Sequence, residues 1–367
     1  MKTAVFRVDA SLDIGAGHVA RCLVLADALM QKGVECRFIT RAHAGHMADP
    51  IAAKGFEVTM LPAPQGPAPQ GPPDHAPWAG VSWEQDAAET REALGPRPPD
   101  WLVLDHYAFD ARWQKAVSPA GARLMVLDDL ADRPHACDLL LDQNLGRVAE
   151  DYDGLAPEQR QRLIGPQYAL LRSEFADLRA EALAARAGRD PRHLLVTMGG
   201  VDVQGVTPVI LKALADVSLP EDLEATIIMG RHAPALEQVR ALAQALTCPV
   251  EVVVDATDMA ARMAAADIAI SASGLVSYEL ACMGVPMLLL PASPIQEKVA
   301  RELTLVTESR LIEGWKKNPA ERIGGALTAF LMRLARLPPS DRRFSEIFDG
   351  AGTKRVITAM SEHHNAP

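Results

Sequence analysis

Asp9-Ala-Ser-Leu-Asp-Ile-Gly15-Ala-Gly17-His18-Val-Ala-Arg21 sets two glycines, a histidine and an arginine in close succession, where the pattern reads as strand, turn and helix start. Glycines let a backbone approach a ligand, and the free N–H groups of a first helical turn receive anions such as phosphate. A histidine in that turn meets the positive end of the helix dipole, which disfavours imidazolium. His18 is therefore expected to be neutral near physiological pH and able to take a proton from water. Arg21, one turn on, falls on the same side of the helix and could hold a phosphate or a carboxylate. Gly15-Ala-Gly17-His-Val-Ala20 also fits the relaxed GxGxxG/A dinucleotide pattern. The second strand, however, ends in Thr40-Arg41, where an NAD site needs an acid for the ribose. NADP stays open as an alternative, as does a plain tight turn with an incidental histidine.

Three other groups could carry chemistry. Met198-Gly199-Gly200-Val201-Asp202, with a helix from about Gly205, repeats the strand–glycine–helix arrangement. Ser271-Ala-Ser273-Gly274-Leu-Val-Ser277-Tyr278-Glu279 breaks a strand at small residues, so a helix starting near Gly274 could offer N–H groups and hydroxyls to a phosphate. Glu279, about one turn in, could accept from a ribose diol. Asp105-His106-Tyr107, Asp128-Asp129 and Asp142-Gln143-Asn144 stand at strand ends. There Tyr107 and Asn144 could contact a sugar, and Asp105 or Asp128 could orient a catalytic group. Each of these also has a plain structural reading. There is no HExxH, G-x-S-x-G or P-loop pattern, and His43-Ala-Gly-His46 lacks the companions of a zinc site. No metal and no cofactor is expected.

The elements that must position these residues alternate. Val/Ile/Leu-rich runs at 3–9, 34–40, 56–61, 100–106, 122–128 and 137–142, then at 193–198, 225–229, 250–254, 267–271 and 286–290, are separated by amphipathic stretches. That is the pattern of parallel strands covered by helices. The first helix is the clearest, with Val19, Cys22, Leu23, Ala26, Leu29 and Met30 on one side and Gly33 where it should end. The expected division is residues 1–175, a 176–190 connector, 191–335, and a helical tail over 336–367. Each of the two α/β domains should be doubly wound and Rossmann-like, and the two should face one another across a cleft; cutting near residue 180 should yield two folded pieces. Residues 62–77 (PAPQGPAPQGPPDHAP) read as an exposed, poorly ordered loop without chemistry.

Composition narrows the function. With 49% hydrophobic and 23% charged residues among 367, the chain suits two globular domains and excludes a disordered one. A net charge of −10 disfavours nucleic acid and anionic membrane. Cys22, Cys36, Cys137, Cys248 and Cys282 are scattered and read as buried thiols. MKTAVFRVDA turns charged too early for a signal-peptide core, so a cytoplasmic protein is expected.

Taken in order, the N-terminal D-A-S-x-x-I-G-x-G-H-x-x-R, Asp105-His106-Tyr107, Asp128-Asp129, Cys137-Asp138 with Asn144, Tyr168-Ala-Leu-Leu-Arg-Ser-Glu174, Met198-Gly-Gly-Val-Asp202 and Ser273 to Glu279 resemble the UDP-sugar hydrolases of pseudaminic acid biosynthesis. That family acts on UDP-2,4-diacetamido-2,4,6-trideoxy-β-L-altropyranose and is related to glycosyltransferases of the GT-B fold. The resemblance implies His18 as the base that activates water at the anomeric carbon, UDP leaving with inversion, and Tyr107 near the sugar. It further implies substrate or nucleotide contacts at Gly15, Gly17, Arg21, Asn144, Gly199, Gly200, Ser273, Gly274, Glu279 and Gln296. It needs no metal. The implied partner is a UDP-sugar, the expected state a monomer, and the implied context flagellin or other surface glycosylation. Where many members have Asn-Gln this chain has Ile295-Gln296. A glycosyltransferase of the same fold and a non-catalytic nucleotide-sugar binding protein are the alternatives.

Overall fold

The structure is a computed structural model and describes residues 1–118, 121–187, 189–200, 202, 204–337 and 346–365. Segments apolar on both faces are stable only between two helical layers, and such segments form the sheets here. The first unit pairs seven parallel strands in the order β3-β2-β1-β4-β5-β6-β7. These are β1 (Thr3–Val8), β2 (Glu35–Arg41), β3 (Glu57–Leu61), β4 (Trp101–Asp105), β5 (Arg123–Leu127), β6 (Leu139–Asp142) and β7 (Gln161–Ile164). The second unit pairs β10-β9-β8-β11-β12-β13, also parallel. Its strands are β8 (His193–Thr197), β9 (Glu224–Met229), β10 (Val250–Val254), β11 (Ile268–Ser271), β12 (Met287–Leu289) and β13 (Ser309–Leu311).

Both orders are doubly wound. Strand order reverses beside β1 in one sheet and beside β8 in the other, and open α/β sheets bind ligands at the carboxyl ends of the strands flanking that reversal. In the first unit those ends carry the Asp9–Gly17 loop and Asp105-His106-Tyr107; β1 pairs with β4 up to Val8 opposite Asp105. In the second they carry Met198-Gly199-Gly200 and Ala272-Ser273-Gly274, with Thr197 opposite Ser271.

The expected strands form within a residue or two of their predicted bounds, and two more, β7 and β13, pair at sheet edges. Glycine ends the first helix, Gly17–Met30, as expected: Gly33 takes φ +79° and its N–H bonds the Met30 carbonyl at 2.9 Å. The five cysteines are buried and free.

The units divide as residues 1–172 with 351–367, and 173–350. Helix Ser173–Arg186, expected as part of a connector, is built into the second unit. The Arg186 guanidinium is 1% exposed and donates to the carbonyls of Met263, Ala264, Ala266 and Met283 at 2.7–3.1 Å. Helix Gly352–Asn365, expected as a tail, belongs to the first unit: Val356, Ile357, Ala359 and Met360 join the core of Phe6, Leu25 and Phe38. Gly352 allows the close approach, since a Cβ there would lie 2.2 Å from the Ala169 carbonyl oxygen.

The expectation of two folded pieces from a cut near residue 180 therefore needs correcting, because such a cut separates the first sheet from one of its helices. Burying a large apolar side chain contributes about 1.5–3 kcal/mol, and a domain has only about 5–15 kcal/mol in hand. Residues 1–172 alone should show no cooperative urea transition by circular dichroism, whereas 1–172 linked directly to 351–367 should show one.

Candidate functional site

The Asp9–Gly17 loop is held by its own serine. Ser11 Oγ accepts from the N–H groups of Asp13 and Ile14 at 3.1 and 3.0 Å, and Gly15, at φ +78°, returns its N–H to the Ser11 carbonyl at 2.8 Å. The helix that follows starts at Gly17 with no acid in its first turn, and its first N–H groups have no side-chain cap among the described residues. His18, on that turn, points Nδ1 at Asp105 Oδ1, 2.6 Å away. Asp105 is fully buried. Burial alone would raise its carboxyl, but Arg21 and His18 hold it well below the usual carboxylate range. An ionised carboxylate can only accept, so neutral His18 carries its proton on Nδ1 and the lone pair on Nε2. Among the described residues no protein group bonds Nε2, and a tenth of the side chain stays open to solvent.

Arg21 sits among the site residues, but its guanidinium is already engaged. It donates to both Asp105 oxygens at 2.6 and 2.7 Å and to Asp129 at 2.9 Å. The structure thus uses it to neutralise two carboxylates rather than leaving it free for an anion. Asp129 also accepts from the Tyr107 hydroxyl and, at 2.8 Å, from Asn144 Nδ2. Burial and the Asp129 charge push the Tyr107 phenol well above its ordinary value, so it remains a donor. Asn144 Nδ2 bonds Asp142 as well, leaving its carbonyl oxygen without a protein partner among the described residues. Arg147 reaches both the Asp129 carbonyl, at 2.7 Å, and Asp142, at 2.9 Å.

The neighbouring acids and the histidine serve the scaffold. His106 turns to the opposite face from Asp105 and Tyr107, 3.3 Å from Asp9. Asp9 is itself fully buried, accepting from Arg7 and from the Arg41 N–H at 2.6 Å each. Asp128 pairs with Arg133 at 2.7 Å and accepts from Tyr152 at 2.8 Å. Of the two acids weighed as orienting groups, Asp105 meets His18 and Asp128 does not.

The proline-rich segment, expected as an exposed, poorly ordered loop, ends beside Tyr107. Arg41 donates to the Pro62 carbonyl and Arg112 to that of Pro72, at 2.9 and 2.7 Å. A 3-10 turn over Ala76–Ala79 then presents Trp78, which stacks on Tyr107 with ring centroids 5.4 Å apart and meets His18 edge-on at 6.2 Å. His75 stands edge-on to both Trp78 and Tyr107. The sequence signal was available: His75 stands near the end of the proline-rich run and Trp78 follows it directly.

In the second unit two helix starts differ. The helix Val206–Ala215 is capped internally, because Asp202 accepts from the N–H groups of Val206 and Thr207 at 2.9 and 2.8 Å. Gly199, at φ +90°, and Gly200 precede it, and the Gly200 carbonyl accepts from Gly230 at 2.8 Å. The helix Leu275–Cys282 has Gly274 at its N-cap, no side-chain cap and no acid in its first turn. Beside it Ser273 is 1% exposed, and its Oγ has no hydrogen-bond partner among the described residues. Glu279 lies one turn further, half-buried. Gln296, expected to contact substrate, closes the start of the helix Pro294–Val306: its Oε1 accepts from Ala292 N–H at 2.8 Å and its own N–H bonds Ser293 Oγ. The side chain of Ile295, and Val201, lie outside the described residues. Among the described residues no His/Cys/Asp/Glu group is disposed to hold a metal ion, and no helix is long and apolar enough to cross a membrane.

No protein-family profile matches the chain. Among curated proteins it is 25% identical over 279 residues to the UDP-2,4-diacetamido-2,4,6-trideoxy-beta-L-altropyranose hydrolase of Campylobacter jejuni, covering 75% of this chain and 87% of that one. It is 30% identical over 149 residues to the spore coat polysaccharide biosynthesis protein SpsG of Bacillus subtilis, covering 41% and 42% of the two chains. Among solved structures, MurG of Acinetobacter baumannii matches with a TM-score of 0.67 at 15% identity over 99% of this chain and 100% of that one. The calicheamicin glycosyltransferase CalG4 matches at 0.59 and 17% over the whole of both chains. The fold is thus two parallel-sheet α/β domains of the GT-B glycosyltransferase kind.

Asp142 gives this site a titration of its own. Burial, then the Asp129 charge, raise its carboxyl from 3.8 to about 6 against the pull of Asn144, Tyr152 and Arg147. The folded state therefore binds this proton more tightly than the unfolded chain does. Its contribution to stability is complete below the unfolded value of 3.8 and is lost as pH rises through about 6. Asp105 has the opposite sign, stabilising above the unfolded value and less as pH falls. Carboxyl ¹³C NMR should place the Asp142 midpoint near 6; an ordinary aspartate midpoint is the contrary result.

Proposed function

We propose that the protein is a UDP-sugar hydrolase in which His18 Nε2 takes a proton from water as the water oxygen attacks the anomeric carbon. The new C–O bond forms on the face opposite the leaving group. The bond from that carbon to the phosphate oxygen breaks, and its electron pair departs with UDP, so the configuration inverts. One observation carries the reading: the 2.6 Å contact between His18 Nδ1 and a buried, ionised Asp105. It fixes the ring's tautomer and orientation, and it offsets the positive charge the ring acquires as the water proton arrives.

The nucleotide assignments are part of the same proposal. Ser273 Oγ and the uncapped start of helix Leu275–Cys282 suit a phosphate, because a buried hydroxyl without a partner and free N–H groups both lack what an anion supplies. Gly199 and Gly200 allow close backbone approach, and Glu279 would accept from the ribose. Gly15 and Gly17 would do the same on the sugar side, with Tyr107 and Asn144 as sugar contacts. Gln296 would reach substrate only through the amide nitrogen that its capping bond leaves over. The named activity of the Campylobacter relative supports a 2,4-diacetamido-2,4,6-trideoxy sugar as substrate, and with it a place in pseudaminic acid biosynthesis.

A second reading is a glycosyltransferase, favoured by the solved structures of that class that share the fold. There Nε2 would deprotonate an acceptor hydroxyl in place of water. Incubation of the UDP-diacetamido-trideoxy sugar without acceptor separates the two, since only a hydrolase releases stoichiometric UDP. His18→Ala should lower that release by about a hundredfold or more while UDP affinity, measured by calorimetry, changes little. Full turnover by this variant would remove His18 from the mechanism.

A further inference from the structure

A histidine that takes a proton from water must arrive unprotonated, and a carboxylate against its ring opposes this, because a neighbouring anion favours the imidazolium. The bond that orients His18 therefore carries a cost for a base: Asp105 is fully buried, and its Oδ1 lies 2.6 Å from Nδ1. Arg21 stands where that cost can be offset. Its guanidinium donates to both Asp105 oxygens, at 2.6 and 2.7 Å, and its Nη2 lies 3.4 Å from His18 Nδ1. Arg21 is 6% exposed, so solvent screens its charge little, and a guanidinium keeps that charge at any working pH. A second positive charge on the ring would form directly beside it.

The other groups around the ring come from three further segments. Tyr107, past the end of β4, meets His18 edge-on with ring centroids 4.6 Å apart, and Cys22 on the same helix as His18 points its thiol at Asp105. Burial pushes both the phenol and the thiol well above their ordinary values, so neither is charged near neutrality. Asp129, after β5, is bound to Arg21 at 2.9 Å, but its charge is also met by the Tyr107 hydroxyl and by Asn144. Trp78 of the proline-rich turn meets His18 edge-on, while His75 and Arg133 stand against Tyr107.

We propose that Arg21 is a positioning residue for His18, whose fixed charge, held on Asp105, sets the pH range over which Nε2 is free to accept a proton. Asp105 then fixes the tautomer and orientation of the ring, and Arg21 removes the part of the carboxylate's field that would protonate it before water arrives. One helical turn supplies both the base and the charge that tunes it. This inference rests on the UDP-sugar reading for the role of His18 as base, and adds to that reading what keeps the base ready.

The test is ¹⁵N NMR of the His18 imidazole across pH, assigned by the signal lost in His18→Ala, with kcat/KM for UDP release measured over the same range. Arg21→Gln should move the imidazole midpoint upward by about one pH unit or more, and Arg21→Lys, whose ammonium keeps the charge but cannot grip both oxygens, should move it upward by less. Asp129→Asn, which removes a negative charge instead, should move it downward. A purely structural role for Arg21 would not tie the sign of the shift to the sign of the charge removed. Cooperative urea unfolding reports an intact fold; if Arg21→Gln loses it, the opposite shifts of Arg21→Lys and Asp129→Asn decide. Unchanged midpoints in the Arg21 variants that fold, or an upward shift in Asp129→Asn, would overturn the proposal. The acid limb of kcat/KM should follow the NMR midpoints. If the parent releases no UDP, or the midpoints move while the acid limb does not, the reading of His18 as the base of a UDP-sugar hydrolase fails and the effect of Arg21 on the ring stands.

Discussion

A carboxylate with no access to water is costly, by several kcal/mol even after the protein relaxes around it, unless charge and hydrogen bonds replace the lost hydration. Asp105 meets that condition with two partners on one helix: Arg21 grips both oxygens, and His18 takes one of them. Because the carboxylate stands at the end of β4 and its partners stand in the first turns of helix Gly17–Met30, this contact locks the helix to the strand where the sheet reverses order. The same bond that makes the buried charge tolerable turns the imidazole and leaves Nε2 free. Arg21 alone still engages both Asp105 oxygens, so the charge keeps a partner apart from the imidazole.

From Asp105 the polar contacts run outward in a chain. Arg21 passes to Asp129, Asp129 to Tyr107 and Asn144, and Asn144 to Asp142. Carboxylate acceptors alternate with donor groups along it until Asp142, where two carboxylates share one asparagine and the more buried of them gives up its charge more easily. A separate network on the other side of the sheet, Asp9 with Arg7 and Asp86 with Arg7 and Arg41, is wholly buried and serves to pin β1 and β2. The two networks have similar composition, and the first includes His18, whose Nε2 has no protein partner among the described residues.

The second unit separates used from unused helix starts. Asp202 fills the N–H groups of one helix, while the helix after Ser273 keeps its own. Glycine-rich turns at both positions look alike in sequence, and the difference is whether an acid lies within reach of the first turn.

Most of the architecture was legible before any coordinates. Alternating apolar runs predicted the strands of both sheets, because periodicity and local turn chemistry depend on near neighbours along the chain, and the GT-B kind of fold was implied by the family resemblance that the motifs carry. The strands missed, β7 and β13, are short, half polar and at sheet edges, so only pairing with β6 and β12 makes them strands. Residue types alone nominated His18, Arg21, Asp105 and Tyr107. They did not say that Arg21 is bound to two aspartates, that Asp105 rather than Asp128 faces His18, that Gln296 caps a helix, or that a proline-rich segment brings Trp78 to Tyr107. Those facts depend on which side of a strand each residue faces and on contacts between segments tens of residues apart. The sequence by itself thus determined the elements and the inventory of reactive groups; the tertiary structure alone decided which of those groups are consumed by one another and which remain open to a substrate.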